Sequence, residues 1–394
     1  MFDFLSPTMI EILITFAKVI AIVFLFVMGL ASMMTLLGDR KQSAKIQNRV
    51  GPNRAMLFGL PFTRFLGIPH FIADGIKMIL KENIVPAGAH KGLHLIAPAL
   101  VFLPSLIGWA GVPFMDFYCT GSIVVEPNTY REICSVGPAG EPGVWRNYFQ
   151  IMNFNAGLLF AFAIAAVSVY GAAIAGWASN SKFSLLGGLR SSAQMISYEV
   201  SMGLCLAGVL MIFGTLDLNE MARQQGYLLW GWLPMWGIVV QPLGFFLFFL
   251  AGMAETKRAP FDVPEGESEI VAGYITEYSS MKFGIMQLGE YVAVVFISAL
   301  IAVLFLGAWQ VPFLYGDGFH FPGADTIHIP YFAVILMRIG SILTKIVFLV
   351  WLQFMMRWTL PRFRYDQIMV LGWKILLPLS LANLVVTAFI AAIL

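Results

Sequence analysis

Long apolar runs alternate with shorter polar segments along the chain. With a window of about 19 residues, eight runs are apolar and long enough to cross the hydrocarbon core of a bilayer. They cover 9–37, 93–113, 151–178, 194–213, 233–254, 286–309, 331–354 and 370–393. The pattern predicts an all-α polytopic membrane protein whose eight transmembrane helices form one membrane domain over residues 1–394. The first run lacks an A-x-A cleavage site, so it is predicted to be retained as a helix.

One polar segment between the first two runs has the spacing of a helix. In "HFIADGIKMILKE" the apolar positions recur every three or four residues opposite the charged ones. The apolar positions are Ile72, Ile76, Ile79 and Leu80, and the charged positions are Asp74, Lys77 and Lys81. This spacing predicts a short amphipathic helix at the membrane interface, within the first cytoplasmic loop.

Lysine and arginine are distributed unevenly between the predicted loops. The first loop carries nine of them, whereas the long second loop carries only Arg131 and Arg146. Because basic residues stay on the cytoplasmic side, the odd loops are predicted to be cytoplasmic or matrix-facing. These loops are 38–92, 179–193, 255–285 and 355–369. An even number of helices then places both termini on the outer side.

Composition excludes several classes of function. The chain is 59% hydrophobic and its 24 Lys+Arg nearly balance its 22 Asp+Glu, which is unlike a nucleic-acid-binding protein. Its three cysteines form no CxxC pair, so no zinc or iron–sulfur site is expected in this chain. His90 and His94 have the spacing of a shared metal site, but interfacial polar residues are the favoured interpretation and no metal is predicted.

Charge is concentrated in "ETKRAPFDVPEGESE", residues 255–269, which has seven charged residues in fifteen. A solvated loop with local salt bridges is the plain interpretation. However, Pro260 and Pro264 restrict the backbone, and the segment that follows is apolar and aromatic. These features predict that the loop folds back into the protein.

Several motifs resemble one family. The segment "AETKRAPFDVPEGESEIVAGYITEYS" resembles the signature loop of the H subunit of respiratory complex I, the NADH:quinone oxidoreductase; this subunit is NADH dehydrogenase subunit one in mitochondria. "QNRVGPNR" is similar to that family's Q-x-R-x-G-P-N, and "ADGIKMILKE", "YE" at 198–199 and "GEY" at 289–291 also match. His70 departs from the glutamine usual in the family, and the long second loop has no counterpart in its compact members.

The resemblance implies a membrane subunit that joins the membrane and redox arms, forms part of the quinone cavity and couples quinone reduction to proton translocation. The chain would bind no cofactor alone; quinone would be the substrate, with FMN and iron–sulfur clusters in partner subunits. The partners would be other complex I subunits and the lipid of a bacterial cytoplasmic or mitochondrial inner membrane. Two alternatives remain open, namely the homologous subunit of a membrane-bound hydrogenase and an independent proton-coupled secondary transporter.

Candidate residues follow from the motifs and from charge within the predicted helices. The predicted proton path consists of Glu199, Glu255, Asp262, Glu265, Glu267, Glu269, Glu277, Glu290 and Lys345. Residues predicted to line the quinone cavity or orient the loop are Arg49, Asp74, Lys77 and Arg258. For Glu199 a neutral structural carboxyl is the alternative. A disulfide between Cys119 and Cys134 is also predicted, with two free thiols as the alternative.

Overall fold

A computed structural model describes residues 7–56, 68–119, 123–125, 132–134, 145–229, 232–321 and 326–393. The described chain is mostly helical, as the sequence predicts. Helix α1 comprises Pro7–Val19, Gly29–Met33 and Ser43–Ile46, joined by the π-helical turns Ile20–Met28 and Met34–Gln42. The other helices are α2 Ile68–Leu80, α3 Lys91–Ile107, α4 Gly157–Ala178, α5 Lys182–Phe213, α6 Leu218–Gln224, α7 Gly237–Val240, α8 Pro242–Glu255, α9 Glu267–Ile270, α10 Ser280–Phe305, α11 Tyr331–Thr359, and α12 Tyr365–Val370, which continues through the π-helical Leu371–Leu376 into Leu377–Ile393.

Seven helices within the described residues are long and apolar enough to cross a membrane. They are Glu11–Ile46, Lys91–Gly111, Gly157–Ala178, Lys182–Phe213, Ser280–Phe305, Tyr331–Thr359 and Tyr365–Ala392. The predicted count of eight is therefore not confirmed. The predicted segment 233–254 instead contains the short helix α7 and the 14-residue helix α8, separated at Gln241. Pro242, the first residue of α8, cannot donate a backbone hydrogen bond, which explains the break. At 1.5 Å per residue, α8 is about 21 Å long.

The fourth predicted run begins too late. Helix α5 starts at Lys182, so most of the predicted loop 179–193 is helical. This first third of α5 is polar and rich in glycine and serine, so its average hydropathy is too low for it to be predicted as part of an apolar run. It is stabilised instead by packing: a Cβ on Gly187 would lie 2.5 Å from the Gly273 Cα atom, so the two backbones touch. Glu199 consequently lies about 26 Å from the start of its helix.

Short antiparallel strands occupy the segments between helices. They are β1 Tyr118–Cys119, β2 Ile123–Val125, β3 Glu132–Cys134, β4 Trp145–Arg146, β5 Leu228–Leu229, β6 Leu233–Pro234, β7 Leu314–Tyr315, β8 Gly318–Phe319 and β9 Ile327–His328. Strand β1 pairs with β4, β2 with β3, β5 with β6, and β8 lies between β7 and β9. The predicted disulfide between Cys119 and Cys134 is confirmed and joins β1 to β3.

Helix α10 forms the centre of the bundle, since 89% of the residues in its most apolar stretch are buried. It packs against α3, α11, α8 and the middle of α1. Helix α2 is amphipathic as predicted, with Ile72, Ile76 and Ile79 exposed along one side. Its position at a membrane interface stays a prediction.

Candidate functional site

The charged loop, defined as residues 255–279, folds back against α5 and α10, which confirms the prediction of a folded segment. Glu255, Lys257 and Arg258 are all buried. The buried Gln194 side chain of α5 donates hydrogen bonds to the carbonyl oxygens of Ala254, at 2.7 Å, and Phe261, at 2.9 Å. Because one amide holds both ends of this turn, the loop has a defined position relative to the helices.

Glu290 of α10 is the point on which the charged loop converges. Its carboxylate is 3% exposed. The Tyr274 hydroxyl donates a 2.6 Å hydrogen bond to Oε1, and the Arg258 Nη2 atom lies 3.4 Å from Oε2. The sequence places Glu290 among the candidates but offers no sign that it is central. Tyr274 is absent from the sequence-based candidates, because an aromatic residue in an apolar segment carries no distinguishing pattern.

Glu265 lies beside Glu290 in the same buried region. Burial raises the pKa of Glu265 well above its usual range, and the neighbouring Glu290 carboxylate raises it further, while Arg258 opposes the shift. Burial and the charges of Glu290 and Glu265 also raise the pKa of Tyr274, so its hydroxyl remains a donor. Two buried carboxyls next to one arginine cannot both be ionised without a large cost, so the arrangement favours one shared proton.

Lys257 is a second buried charged residue beside Tyr274. The Lys257 Nζ atom lies 4.9 Å from the centre of the Tyr274 ring. Burial lowers the pKa of Lys257, whereas Glu290, Glu255 and Glu265 oppose the shift. Glu255, at the end of α8, is close enough to the half-buried Glu199 of α5 for repulsion between their charges. Glu255 therefore interacts electrostatically with Glu199, and Lys257 with Glu255, Glu265 and Glu290.

Two acids of the charged loop are paired with distant arginines. Asp262 lies 2.8 Å from Arg362, and Glu269 lies 2.7 Å from Arg190. Burial raises the pKa of Asp262 to about 6, an effect that Arg362 partly opposes. Lys257 and Arg258 are therefore not the only cations that offset the charge of this loop. The Glu269 carboxylate is nearly half exposed, which separates it from the buried group.

Arg258, which lies beside Glu290, is also connected to α1 through Tyr291. The Arg258 guanidinium stacks 4.0 Å from the centre of the Tyr291 ring, and the Tyr291 hydroxyl hydrogen-bonds to Asp39. The Arg357 Nη1 atom of α11 lies 2.5 Å from the other Asp39 oxygen. Asp39 is a further residue that the sequence-based candidates omit. Its only sign in the sequence is a lone acid within the basic stretch "GDRKQSAK".

A cavity of about 460 Å³ opens beside this network, between α1, α2 and the start of α10. Residues of its lining that matter here are Asp39, Arg40, Phe71, Asp74, Leu288 and Tyr291. Asp39 and Tyr291 thus belong both to the cavity wall and to the charged network. Asp74 also lines this cavity and forms a 2.5 Å salt bridge with Arg40, and its role at a quinone site stays a prediction. The volume and mixed lining suit a small, partly apolar ligand.

Three predicted residues lie away from the cavity and the buried carboxyls, and the side chain of a fourth is not described. Arg49 is exposed and hydrogen-bonds to Gln47. Glu277 lies near His94, whose ring stacks on Tyr278. The side chain of Glu267 lies outside the described part of the structure. Lys345 is remote in α11; its Nζ atom donates to the carbonyl oxygens of Ala308 and Gln310 and faces the Trp236 ring.

The histidine pair predicted to be interfacial adopts separate contacts. The His90 ring stacks on Trp177, and the His94 Nδ1 atom lies 3.3 Å from the Lys282 Nζ atom. Among the residues that the structure describes, no group of three or more His, Cys, Asp or Glu side chains could hold a metal ion.

Comparison with known proteins places these features in a family. Residues 17–388 match the family described as NADH dehydrogenase. The chain is 40% identical to the H 2 subunit of NADH-quinone oxidoreductase from Koribacter versatilis, over 97% of this chain and 98% of the relative. It is 40% identical to the H 1 subunit of NADH-quinone oxidoreductase from Geobacter metallireducens, over 98% and 99% of the two chains. It is 37% identical to the H 1 subunit of the same enzyme from Cytophaga hutchinsonii, over 94% and 95%.

Proposed function

Because the chain belongs to the NADH dehydrogenase family, as an H subunit of NADH-quinone oxidoreductase, we propose that it couples quinone reduction to proton translocation within that enzyme. It is a membrane subunit of a multi-subunit oxidoreductase. We propose that the partner subunits carry the FMN and iron–sulfur clusters and that this chain contributes protein walls and titratable groups. The names of the relatives favour this function over a hydrogenase subunit or an independent transporter.

The observation that carries the proposal is the convergence of the charged loop on Glu290. Tyr274, Arg258 and Glu265 all approach this one carboxylate. Arg258 also stacks on Tyr291, which lines the 460 Å³ cavity. One arginine therefore lies between the cavity wall and a pair of buried carboxyls that favours a single proton.

In the proposed mechanism, quinone binds in this cavity near Asp39, Asp74 and Tyr291. A negative charge that develops there on reduction attracts the Arg258 guanidinium and weakens its interaction with Glu290. At an effective dielectric constant of 20, two unit charges about 8 Å apart, as across the Tyr291 ring, interact by about 2 kcal/mol. A change of this size is enough to alter which of the Glu265–Glu290 carboxyls holds the proton.

In this proposal the charge then passes through further titratable groups. Lys257 and Glu255 lie beyond Tyr274, and Glu255 lies near Glu199 of α5. Oε2 of Glu255 and Oε1 of Glu265 are buried without a hydrogen-bond partner among the described residues, so each requires a proton or a water. We propose the order Glu265–Glu290, Lys257, Glu255, Glu199 for the transfer of charge.

The remaining predicted residues take supporting roles in this proposal. Asp262 and Glu269 orient the charged loop through Arg362 and Arg190. Lys77 does not line the 460 Å³ cavity; it lines a smaller neighbouring cavity that shares Arg40 and Asp74 with it. Glu267, Glu277, Lys345 and Arg49 are retained as candidates for the path or for loop orientation. We also propose that the basic odd loops face the cytoplasm or matrix and dock the redox arm.

The experiment that tests this proposal replaces single carboxyls in the assembled enzyme. Glu290→Gln and Glu265→Gln are expected to depress NADH:quinone turnover and the linked proton transfer. NADH oxidation by a hydrophilic acceptor, which draws electrons upstream of quinone, is expected to continue. Asp366→Asn is the matched control, because Asp366 is an exposed acid whose ion pair is with the neighbouring, equally exposed Arg364.

Loss of both activities together would indicate failed assembly, which blue native electrophoresis reports independently. Normal quinone turnover and normal proton transfer in fully assembled Glu290→Gln and Glu265→Gln enzymes would contradict the coupling role. Purification in mild detergent addresses the transporter alternative, because a transporter would be isolated alone and a subunit within a large flavin-containing assembly.

A further inference from the structure

A cavity with a volume of about 10 Å³ lies between the charged loop and helices α10 and α11. Its lining consists of Arg258, Val294, Gln353, Phe354 and Arg357. A cavity of this size has space for one water molecule. Because three of the five lining side chains are polar, it also offers the several hydrogen-bonding partners that a buried water requires.

Arg258 brings an unused hydrogen-bond donor to this cavity. Its Nη2 atom lies 3.4 Å from Oε2 of Glu290, and its Cζ atom lies 4.0 Å from the centre of the Tyr291 ring. The Arg258 Nε atom is buried and has no hydrogen-bond partner among the described residues. Because a buried N–H of a charged group is costly without an acceptor, this Nε–H is expected to donate to a molecule in the cavity.

Gln353 of α11 brings an unused acceptor, and Ser298 fixes the orientation of its amide. The Ser298 hydroxyl donates its one hydrogen to the Val294 carbonyl oxygen at 2.8 Å, so it can only accept from Gln353. The Gln353 Nε2 atom donates this second hydrogen bond, at 2.9 Å. Oε1 of the buried Gln353 side chain is therefore left to accept, and no residue in the described part of the chain donates to it.

The charges around the cavity favour a neutral ligand. Arg258 lies beside Glu290, and Arg357 forms a 2.5 Å salt bridge with Asp39, so both guanidinium charges are offset. The ligand must accept from an arginine and donate to Gln353. Water has both functions, whereas chloride is larger and has no hydrogen to donate.

We propose that one water molecule occupies this cavity, accepts from the Arg258 Nε–H and donates to Gln353 Oε1, so that Gln353 is a positioning residue for Arg258. The inference rests on the proposed function, in which Arg258 responds to charge in the 460 Å³ cavity. An arginine held at Nε keeps its Nη2 atom directed at Glu290. Its positive charge then acts on the Glu265–Glu290 pair from a fixed position.

The test begins with a cryo-EM map of the assembled enzyme at a resolution that shows ordered waters. One peak is expected between Arg258 and Gln353, at about 2.7–3.2 Å from Nε and Oε1. Gln353→Met conserves most of the side-chain volume but removes the acceptor, so this peak is expected to be lost. Gln150→Met is the matched control, because Gln150 is a buried glutamine that donates one hydrogen bond, to the Gly111 carbonyl oxygen, and does not line the cavity.

The pH dependence of NADH:quinone turnover is the functional readout. The groups that act on the Glu265 carboxyl are Glu290, Arg258, Asp262, Lys257 and Tyr274. Arg258 opposes the rise in the pKa of Glu265, and without the water it is held less firmly and opposes this rise less. The turnover profile of Gln353→Met is therefore expected to shift by about 0.5–1 unit to higher pH, whereas that of Gln150→Met stays in place. A purely structural defect would lower turnover equally at every pH.

Several results would overturn the proposal. No peak in the unmodified enzyme, or a peak that persists in Gln353→Met, would exclude the proposed water contact. A peak that strengthens when bromide replaces chloride would identify an anion instead. An unchanged pH profile in a fully assembled Gln353→Met enzyme that has lost the peak would exclude the positioning role. None of these results alters the outcome of the Glu290→Gln and Glu265→Gln experiment, so failure of this inference is distinguishable from failure of the proposed function.

Discussion

The Tyr274 hydroxyl donates a 2.6 Å hydrogen bond to the Glu290 carboxylate, and this contact joins the charged loop to the central helix of the bundle. Tyr274 follows Gly273, whose φ of +56° and contact with the Pro264 carbonyl oxygen leave no room for a side chain. The sharp bend at this glycine directs the tyrosine toward α10. A residue of the loop and a residue of the helix are thereby held in one buried polar group.

Replacement of Tyr274 by phenylalanine tests the strength of this connection. The change leaves Oε1 of Glu290 buried without its donor, at a cost of about 1–3 kcal/mol. Hydrogen exchange of the backbone amides in 256–279 is expected to accelerate about fivefold to a hundredfold. Tyr170→Phe, on an exposed tyrosine of α4, is expected to change nothing. Equal exchange in the Tyr274→Phe and unmodified enzymes would show that the bond does not hold the loop.

The Glu265–Glu290 pair is expected to hold one proton, and Glu265 is its favoured site. Burial and the adjacent Glu290 carboxylate hold its pKa well above the usual range. Infrared difference spectroscopy of the oxidised and quinol-reduced enzyme should therefore contain a carboxylic acid C=O band that is missing from Glu265→Gln. A band of equal intensity in that variant would assign the proton to another residue.

Asp262 is expected to make stability depend on pH between about 4 and 6. Its pKa is about 6 in the folded chain, against 3.8 for an ordinary aspartate, so the folded state holds more protons in this range. The free energy of unfolding consequently falls as pH rises from about 4 to 6, by up to about 3 kcal/mol.

The charges that act on the Asp262 carboxyl are Arg362, Arg258, Arg357 and Glu290. Thermal unfolding of the assembled enzyme across this range should show a smaller fall with rising pH for Asp262→Asn than for the unmodified enzyme. Asp366→Asn, on the exposed surface, should keep the original slope. An unchanged slope in Asp262→Asn would contradict the prediction.

Local patterns in the sequence predict most of the helices, because a membrane span needs a continuous apolar run and the sequence contains one for each long helix. They do not predict the polar start of α5, where contact between Gly187 and Gly273 replaces hydrophobicity. At 233–254 they predict one helix, whereas the structure has two shorter ones separated at Gln241, and a membrane crossing by this segment stays a prediction. Both differences arise where packing or backbone chemistry outweighs hydropathy.

The site follows a similar division. The concentration of charge at 255–269 predicts where the folded, charged loop lies, and the motifs make Glu290 and Asp74 candidates. The pairing of Asp39 with Tyr291 and Arg357 joins residues more than 250 positions apart in sequence. Local sequence patterns cannot predict such a long-range contact, because it forms only when the folded bundle brings α1, α10 and α11 together.

A buried ion pair in the long loop after α3 is expected to stabilise α11. Arg338 is almost fully buried and contacts Glu132 of β3 with both of its terminal nitrogens. Glu132→Gln leaves the arginine charge without its partner, at a cost of about 3–5 kcal/mol. The double variant Glu132→Gln with Arg338→Gln should recover part of this loss in thermal unfolding. Equal stability of the single and double variants would exclude a specific pair.

The Cys119–Cys134 disulfide should help to hold Glu132 in position for its ion pair with Arg338, because Cys134 lies two residues after Glu132 on β3. Cys134→Ser opens the link to Cys119 and is expected to destabilise the protein by about 3 kcal/mol, the value for a loop of 15 residues. Cys205→Ala, at a buried thiol elsewhere, is the cysteine control. Alkylation of both Cys119 and Cys134 without prior reduction would show that the bond is not formed.

The orientation of the chain in the membrane can be tested at the two ends of α11, which are marked by Arg338 and Arg357. Arg338, beside the disulfide-linked strands, and Arg357, beside Asp39, lie at opposite ends of α11 about 29 Å apart, close to the thickness of the hydrocarbon core. Because disulfides form in oxidising compartments, we expect the Arg338 end outside and the Arg357 end inside. In a Cys205→Ser background, cysteines at Gln42 and Glu267 should resist an impermeant maleimide in intact cells. Cysteines at Asp317 and at Asn128, which lies outside the described residues, should react. Labelling of the Glu267 position from outside would reverse the orientation and place the charged loop on the wrong side for docking the redox arm.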